Sequence, residues 1–279
     1  MTPSVPKLGN LVEHVSPELA AQAAEKAFVS IPRPPVLKER RRVIEAGERF
    51  EVDAGGRLIV GELWGGGPHV HLVHGWAGWH HQLSAHVTPL LESGHQVVAH
   101  DALGHGESSP GPLGAGTGTV IDLADSLAAV AAAHGPVAGV VAHSAGAMAT
   151  FDAMLRHGLT VGRLALIAPS LSLASTMDSF LAAAGHSPDL RPRVLELAAE
   201  RVGRPASDFE FLDVAERLGD RRPPLLVVHD DTDPESSFDE ARALVDSWPG
   251  AELVHTSGLG HRKVIWAAET VARVADFFA

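Results

Sequence analysis

Short apolar segments that alternate with helical segments are the feature of this sequence that most restricts its fold. Residues 49–53 and 57–64, joined by two glycines, predict an antiparallel hairpin. The apolar segments that follow are residues 70–73, 96–100, 137–142, 164–168 and 225–228. Apolar strands separated by helices indicate a largely parallel sheet that is covered on both faces. The predicted fold class is therefore α/β, with a mostly parallel sheet flanked by helices.

The regular spacing is interrupted once, between Pro169 and Pro224, where the chain is long enough for several helices. Three pairs of start and stop signals occur there: Ser175 or Thr176 before Gly185, Ser187-Pro188 before Gly203, and Ser207 with Glu210 before Gly219. We interpret residues 170–223 as a short helical lid. The core of the fold is then predicted to consist of residues 49–169 and 224–279.

Residues 1–48 precede this core and are predicted to form a helical arm. Ser16 can cap a helix that has a proline in its first turn. The apolar residues at helical spacing behind this cap are Leu19, Ala23 and Ala27. A stiff proline-rich connector at residues 31–35 and a basic run at residues 38–42 come next, and such runs usually form a solvated face. We expect the arm either to pack on the lid or to contribute to a homodimer.

A strand–turn–helix signature lies at Ala142-His143-Ser144-Ala145-Gly146. A turn of this kind holds a serine in a strained conformation, with its hydroxyl exposed at the edge of the sheet. Small residues are needed two positions before and two positions after the serine, so that strand and helix can pass closely. Ala142 and Gly146 meet this requirement, although glycine is the usual residue at both positions. Ser144 is therefore the candidate nucleophile.

A serine hydroxyl is a poor nucleophile at neutral pH, so Ser144 needs a base and a group that orients the base. His261 follows the last expected strand, residues 251–255, and is the candidate base. Asp233 lies in the loop after the apolar segment 225–228 and is the candidate acid. The order Ser, Asp, His along the chain is the one expected for a nucleophile on this type of sheet.

Taken together, these segments resemble the α/β-hydrolase family over roughly residues 49–279. In that family the acid is the aspartate that precedes a proline or similar residue in a His-x-x-x-Asp run, which matches Asp233. Asp230 and Asp231 are the fallback candidates. The resemblance implies a serine hydrolase with a triad of Ser144, Asp233 and His261.

Two further loops resemble family motifs. His74-Gly75-Trp76 matches the His-Gly-X oxyanion loop, so the resemblance implies an oxyanion hole formed by the backbone N–H groups of Trp76 and Ala145. Residues 101–108 match the D-x-x-G-x-G-x-S loop. We expect Trp79 and His143, which flank these groups, to contact the substrate.

The composition excludes several other chemistries. The chain has no cysteine, which excludes disulfides, thiolate metal sites and a cysteine nucleophile. Its formal net charge of −12 argues against nucleic acid and anionic membranes as partners. Residues 1–10 lack the apolar segment of a secretory leader, and no apolar run approaches the roughly 18 residues of a membrane span. We therefore expect a soluble, cytoplasmic protein.

Seventeen histidines raise the question of a metal site. His69 and His71 would share one strand face, and His74 is already accounted for by the oxyanion loop. No carboxylate lies at ligand spacing beside them or beside His80 and His81. The sequence therefore predicts no metal and no cofactor.

The hypothesis from sequence is a serine hydrolase that cleaves a carboxylic ester of a small molecule through an acyl-enzyme on Ser144. A serine rather than an aspartate at this turn argues against haloalkane and epoxide substrates. A C–C bond hydrolase, a thioesterase and a perhydrolase would use the same triad, and these alternatives stay open. A non-catalytic ligand-binding protein with this fold is the alternative from a different class.

Overall fold

The computed structural model describes residues 13, 15–32 and 44–279, so residues 1–12, 14 and 33–43, including the basic run at 38–42, lie outside the described residues. In chain order the strands are β1 (Glu48–Asp53), β2 (Leu58–Trp64), β3 (His69–Val73), β4 (Gln96–His100), β5 (Val137–His143), β6 (Val161–Ile167), β7 (Leu225–Asp230) and β8 (Glu252–Thr256). The α-helices are α1 (Pro17–Phe28), α2 (Val87–Glu92), α3 (Val120–His134), α4 (Ala145–Arg156), α5 (Leu173–Ala184), α6 (Arg191–Val202), α7 (Val214–Leu218), α8 (Phe238–Ser247), α9 (Gly260–Lys263) and α10 (Ala268–Phe278). Over the described residues, none of these helices has both the length and the apolar character that crossing a membrane requires.

The eight strands form one sheet in the order β1-β2-β4-β3-β5-β6-β7-β8. The pairings β1–β2 and β2–β4 are antiparallel, and every other pairing is parallel. The predicted mostly parallel sheet that begins with a hairpin is therefore confirmed. Because β3 to β8 run in the same direction, the loops that follow them meet at one edge of the sheet.

Successive residues of the central strands are buried on opposite faces of the sheet, as the pleat of a strand requires. In β5, Ala142 packs in the cluster on one face and Val141 in the cluster on the other. Helices α3 and α4 cover the first face, where Phe151 is fully buried, and α2 and α10 cover the second, where Phe277 packs. Both faces are thus closed to water, which explains why the strands read as continuous apolar segments.

Helices α5, α6 and α7 lie in the insert between β6 and β7, residues 170–223. The side chain of Ser172 caps α5 by accepting the backbone N–H of Ser175 at 3.0 Å, so the predicted start at Ser175 or Thr176 is wrong. Gly185 and Gly203 follow α5 and α6 in the left-handed conformation, as glycine at these positions predicts.

The predicted capping box of Ser207 and Glu210 is also wrong. Residues Ala206–Phe209 form a 3₁₀ turn, and α7 begins only at Val214. Glu210 Oε1 instead accepts the backbone N–H of Ala174, in the first turn of α5, at 3.0 Å. The side chain therefore caps a helix that is distant in sequence, and a local pattern cannot reveal such a partner.

Helix α1 of the arm packs against the insert. Ser16 Oγ accepts the backbone N–H of Leu19 at 3.3 Å, which confirms the predicted cap. The packing face differs from the predicted one, because Leu19 is 59% exposed whereas Ala20 and Ala24 are buried against Val194 of α6. The small alanine side chains allow α1 and α6 to approach closely.

Backbone and charged contacts also hold the end of the arm. Ile31 donates its N–H to the carbonyl of Gly116 at 2.9 Å, and Gly118 donates to the carbonyl of Val29 at 3.0 Å. The buried carboxylate of Glu25 pairs with the guanidinium of Arg201 on α6. The arm is therefore bound both to the insert and to the glycine-rich loop that precedes α3.

The predicted final helix, residues 263–278, is interrupted. After α9, the chain forms a 3₁₀ turn at Val264–Trp266, and Ala267 is extended with a ψ of 133° before α10 begins. Trp266 donates its indole N–H to the carbonyl of Gln82 at 3.0 Å. This hydrogen bond connects the segment after His261 to the loop that follows β3.

Candidate active site

Ser144 occupies the sharp turn between β5 and α4. Its φ of 53° and ψ of −123° lie outside the regions that residues with a side chain ordinarily adopt. Close packing forces this geometry and explains Gly146, because a Cβ there would lie 2.7 Å from the carbonyl oxygen of Val73. A Cβ on Gly75 would lie 3.0 Å from Cβ of Ser144. The glycines therefore let β3, its following loop and the turn meet at Ser144.

The structure brings together Ser144 from the turn before α4, Asp233 from the loop after β7 and His261 from the short helix α9. Ser144 Oγ lies 2.9 Å from His261 Nε2, and His261 Nδ1 lies 2.7 Å from Asp233 Oδ2. A carboxylate only accepts hydrogen bonds, so Nδ1 carries the ring proton and its N–H donates a hydrogen bond to Asp233. Nε2 is then unprotonated and can accept a hydrogen bond from the serine hydroxyl. This arrangement can remove a proton from the hydroxyl of Ser144.

Several donors fix the carboxylate of Asp233. Its Oδ1 accepts the backbone N–H groups of Glu235 at 2.7 Å and of Ser236 at 3.1 Å, and its Oδ2 accepts the hydroxyl of Ser236 at 2.8 Å. Burial raises the pKa of Asp233, but the hydrogen bonds from His261 and from the two backbone amides outweigh burial and lower it. Asp233 therefore stays ionised opposite His261.

The two fallback candidates for the acid lie at the end of β7 and at the start of the loop that follows it. Asp230 accepts the hydroxyl of Thr256 and the backbone N–H of Leu259, both at 2.9 Å. Burial opposes ionisation of Asp230, but its hydrogen bonds outweigh burial and lower the pKa. Asp231 is a surface residue bound to His255 at 3.0 Å. Asp230 thus anchors the loop that leads to His261, and Asp231 faces away from it.

His143 lies beneath His261 and does not line the open cleft, in contrast to the expected contact with substrate. It is 2% exposed, and its Nε2 donates to the backbone carbonyl of His261 at 3.0 Å. Burial and the nearby His261 ring lower the pKa of His143 to about 3, so the ring is neutral at neutral pH. The neutral imidazole supports the backbone of His261.

The loop after β3 is held by His74 and Gln82. His74 is buried, with Nδ1 donating to the carbonyl of Gly75 at 2.8 Å and Nε2 accepting the backbone N–H of Ala102 at 3.0 Å. Gln82 accepts the N–H of Gly75 at 2.8 Å. Trp76 is half-buried, and its ring packs against the core and edge-on to His105, with ring centroids 5.5 Å apart. These bonds orient the peptide groups that surround the hydroxyl of Ser144.

The loop at residues 101–108 is built around the carboxylate of Asp101. This carboxylate accepts the backbone N–H groups of His80 at 2.7 Å and Glu107 at 2.8 Å, and the ring Nδ1–H of His80 at 2.9 Å. Burial raises the pKa of Asp101, but the bonds from His80 and Glu107 lower it to about 2. Gly106 is required here, because a Cβ would lie 1.9 Å from Asp101 Oδ2. The motif therefore has a structural role.

Sequence reasoning missed three polar residues near the nucleophile. Ser170 Oγ lies 3.5 Å from Ser144 Oγ, and Glu235 Oε2 lies 3.9 Å from His261 Nε2. Ser236 bonds to Asp233, as described above. Only Ser236 had a local signal, since a serine three residues after an aspartate often bonds back to it. Ser170 and Glu235 carry no motif.

A cleft of about 160 Å³ opens between the insert and the loop that carries Asp233. Its hydroxyl-bearing lining residues are Ser170, Ser175, Thr176, Ser179, Ser236 and Ser237. Three carboxylates, those of Asp233, Glu235 and Glu240, complete the polar part of the wall. Burial raises the pKa of Glu240, and the hydroxyl of Ser175 donates to its carboxylate. The cleft therefore offers hydroxyl and carboxylate contacts beside its apolar surface.

The family model of the alpha/beta hydrolases matches residues 72–277. The chain therefore belongs to the α/β-hydrolase family, as its motifs and its sheet predict. The search of curated proteins found no similar sequence.

Solved structures with the same fold are numerous. Est816, described as an N-acyl homoserine lactone degrading enzyme, is 20% identical with a TM-score of 0.61, over 82% of this chain and 100% of that chain. The esterase EaEST from Exiguobacterium antarcticum is 18% identical with a TM-score of 0.60, over 82% of this chain and 98% of the esterase chain. A thioesterase domain from the curacin biosynthetic pathway is 18% identical with a TM-score of 0.59, over 84% of this chain and 99% of the thioesterase chain. At these identities the similarity establishes the fold.

Proposed function

We propose that this protein is a serine hydrolase that cleaves a carboxylic ester of a small molecule through an acyl-enzyme on Ser144. The hydrogen-bonded series from Ser144 Oγ through the His261 ring to Asp233 carries this proposal, with distances of 2.9 and 2.7 Å. Such a series is what an unactivated hydroxyl needs to become a nucleophile at neutral pH.

In the first half of the reaction, Ser144 Oγ attacks the ester carbonyl carbon while His261 Nε2 takes the hydroxyl proton. The carbonyl π electrons move to the oxygen, which becomes an oxyanion. When the tetrahedral intermediate collapses, the C–O bond to the alcohol breaks and His261 returns the proton to the leaving alkoxide. Asp233 holds the ring and stabilises its charged form without taking the proton itself.

In the second half, water attacks the acyl-enzyme. His261 takes a proton from the water, and the second tetrahedral intermediate expels Ser144, which receives the proton back. The products are a carboxylic acid and the free enzyme. The same residues serve both halves, because deacylation repeats acylation with water in place of Ser144.

The oxyanion hole in this proposal consists of the backbone N–H groups of Trp76 and Ala145. Ala145 is the first residue of α4, and an N–H at that position has no carbonyl partner within its own helix. Trp76 follows Gly75, whose close approach to Ser144 brings the loop to the turn. Losing one such donor typically costs about 2.7–4 kcal/mol of transition-state stabilisation.

We further propose that residues 170–223 act as the lid that selects the substrate. Ser175, Thr176 and Ser179 of α5 face the loop of Asp233 across the cleft. Because this wall is rich in hydroxyl groups and carboxylates, we expect short or polar substrates to be preferred over long acyl chains.

Hydrolysis of p-nitrophenyl esters from acetate to palmitate by wild type and Ser144→Ala tests the proposal. We expect activity that peaks at a short chain and falls by about four orders of magnitude or more in Ser144→Ala. Ser247→Ala is the matched control, because Ser247 lies at the end of α8 and bonds only locally, to the carbonyl of Leu244 at 2.8 Å. An active Ser144→Ala variant would refute the acyl-enzyme.

A serine-directed phosphonate separates the remaining alternatives. Labelling of Ser144 without activity on any ester would mean that the nucleophile is competent and the substrate is a thioester, a lactone or a C–C bond. No labelling of the folded protein would instead favour a non-catalytic ligand-binding protein.

A further inference from the structure

Three side chains outside the candidate active site converge on one point. Glu62 lies on β2, and His80 and His81 lie in the loop after β3. His80 Nε2 is 3.5 Å from Glu62 Oε1, and His81 Nε2 is 3.1 Å from Glu62 Oε2. Among the residues that the structure describes, these three alone form a group whose potential metal-ligand atoms all lie within 4.8 Å of one another.

The separations suit a small divalent ion. Zinc binds imidazole nitrogen and carboxylate oxygen at about 2.0–2.2 Å, so neighbouring ligand atoms in a tetrahedral site are about 3.3–3.5 Å apart. The two measured nitrogen–oxygen pairs, at 3.5 and 3.1 Å, involve the two different oxygens of Glu62, and the candidate ligand atoms of the three residues all lie within 4.8 Å of one another. An ion at the centre would replace the direct nitrogen–oxygen contacts with bonds to the metal, and the three side chains would close on the ion from their present separations.

A further carboxylate already orients one of the ligands. His80 donates its Nδ1–H to Asp101 Oδ1 at 2.9 Å, which directs Nε2 toward Glu62. Metal-bound histidines commonly donate their other ring N–H to a carboxylate in this way. Asp101 is itself fixed by two backbone N–H groups, and Glu62 Oε2 accepts the N–H of Gly47 at 3.0 Å. Backbone N–H groups therefore hold both Glu62, which is a proposed ligand, and Asp101, which orients His80.

The register of the sheet explains why this cluster forms. In the antiparallel pair β2–β4, Glu62 lies opposite Ala99, two residues before Asp101. Asp101 also donates its backbone N–H to the carbonyl of Val60 at 2.8 Å. The loop with His80 then folds over this strand end and presents both imidazoles to Glu62. All three ligand side chains are half-buried, so an ion can reach them from solvent.

We propose that Glu62, His80 and His81 bind a divalent transition-metal ion, with Zn²⁺ as the best-matched ion and water as the fourth ligand. Two imidazoles and one carboxylate are a donor set that zinc accepts readily. The bound ion would connect β2 to the loop of residues 74–82. Gln82, next to His81, accepts the N–H of Gly75 at 2.8 Å, so the ion would stiffen the segment that carries Trp76.

Titration of chelator-treated protein with Zn²⁺ alone, followed by calorimetry, tests this site. We expect one ion per chain to bind more tightly than the background from the other histidines. Glu62→Gln and His81→Gln should each weaken that event by roughly tenfold or more, and Asp101→Asn by roughly 10–100-fold. His157→Gln is the matched control, because His157 pairs with a single carboxylate, Asp125, at 2.7 Å.

Co²⁺ gives a second readout, since ions in tetrahedral sites absorb visible light more strongly than hydrated ions. We expect this absorption in wild type and in His157→Gln, and its loss in Glu62→Gln and His81→Gln. Equal Zn²⁺ affinity and equal Co²⁺ spectra in wild type and the two ligand variants would overturn the proposal, and leave the cluster as a hydrogen-bonded network only.

Chemical modification of the wild-type chain tests the metal site even if the variants do not fold. Diethyl pyrocarbonate modifies accessible imidazoles, and peptide mass spectrometry locates the product. Zn²⁺ should protect His80 and His81 of the wild-type chain but leave His157 and His255 reactive. No protection of His80 and His81 at saturating Zn²⁺ would refute the site.

Discussion

In the part of the chain that the structure describes, two histidine–aspartate pairs have a fully buried carboxylate, and they differ in the group that the second ring nitrogen contacts. In His261–Asp233 the distance from Nδ1 to the carboxylate is 2.7 Å, and in His80–Asp101 it is 2.9 Å. Both carboxylate side chains are 0% exposed, and the two imidazoles are 6% and 10% exposed. The histidine–carboxylate pair alone therefore does not define a catalytic base.

The third partner distinguishes the two pairs. His261 Nε2 meets the hydroxyl of Ser144, which has a proton to give, so the pair can activate a nucleophile. His80 Nε2 meets the carboxylate of Glu62, and His81 meets the same carboxylate, so this group can only share protons or hold a cation. The comparison leads to four predictions, from the largest expected effect to the smallest.

Asp233→Asn, which alters the His261–Asp233 pair, should have the largest effect, and the effect is on kcat. The amide leaves the geometry almost intact but favours the wrong tautomer of His261, and a loss of about 10⁴ in kcat is expected. Steady-state hydrolysis of the best p-nitrophenyl ester measures this loss. Asp231→Asn is the control, because Asp231 bonds to His255 on the surface, and it should retain activity. Comparable activity in Asp233→Asn and wild type would remove Asp233 from the mechanism.

Histidines that are buried without a carboxylate partner should make the protein sensitive to acid. Burial, together with neighbouring histidines, lowers the pKa of His71 and of His100 to about 3. An unfolded chain binds protons at these residues below about pH 6.5, whereas the folded chain does not until about pH 3. Stability should therefore be full above pH 6.5 and decrease as the pH falls from 6.5 toward 3.

The expected slope is up to about 1.4 kcal/mol per pH unit for each such histidine. Urea unfolding between pH 7 and pH 5 measures it, with His71→Leu as the comparison. The free energy of unfolding of the variant should fall less steeply with falling pH than that of wild type. The difference in slope should equal the contribution of one histidine, up to about 1.4 kcal/mol per pH unit. Parallel curves for the two proteins would mean that His71 is not the acid-sensitive group.

Zn²⁺ should stabilise the fold through the second pair. An ion that binds only the folded chain adds about 2.7 kcal/mol when its free concentration is a hundred times Kd. Thermal unfolding with and without Zn²⁺ should therefore show a higher Tm for wild type and for His157→Gln, but not for Glu62→Gln. If Zn²⁺ shifts the Tm of all three proteins equally, the stabilisation comes from elsewhere.

His143→Leu should have the smallest effect of the four. The substitution removes the hydrogen bond to the carbonyl of His261, at 3.0 Å, and an unmade buried bond costs about 1–3 kcal/mol. If the residue positions the base, we expect kcat to fall by roughly tenfold to a hundredfold while KM is unchanged. A rise in KM at constant kcat would instead support the contact with substrate that the sequence suggested.

The turn that holds Ser144, the candidate nucleophile, could be predicted from sequence because its requirements are local. Ala142 and Gly146 flank Ser144 at fixed spacing, and the apolar segment before them identifies a strand. The left-handed φ of 53° at Ser144 follows from that packing. The helix caps show the limit of such patterns, since Ser16 caps α1 as predicted whereas Glu210 caps α5 and not its own segment.

The choice of the acid needed a resemblance to known proteins before it needed coordinates. Asp230, Asp231 and Asp233 lie within four residues, and spacing alone does not separate them. The structure shows that only Asp233 contacts the His261 ring, while Asp230 holds the backbone at Leu259. The turn between Asp230 and Asp233 directs their carboxylates to different partners.

The amino-acid sequence by itself determined the class of fold, the turn at Ser144 and the order of Ser144, Asp233 and His261 along the chain, because these depend on periodicity, on glycine spacing and on chain order. Tertiary structure decided which groups became neighbours across the sheet. Glu62 is adjacent to His80 only because β2 pairs with β4 in one register, and α1 buries Ala20 and Ala24 rather than Leu19 because its partner is the distant helix α6. The physical reason is that contacts between distant segments are set by strand register and by packing of side chains, which leave no local pattern in the chain.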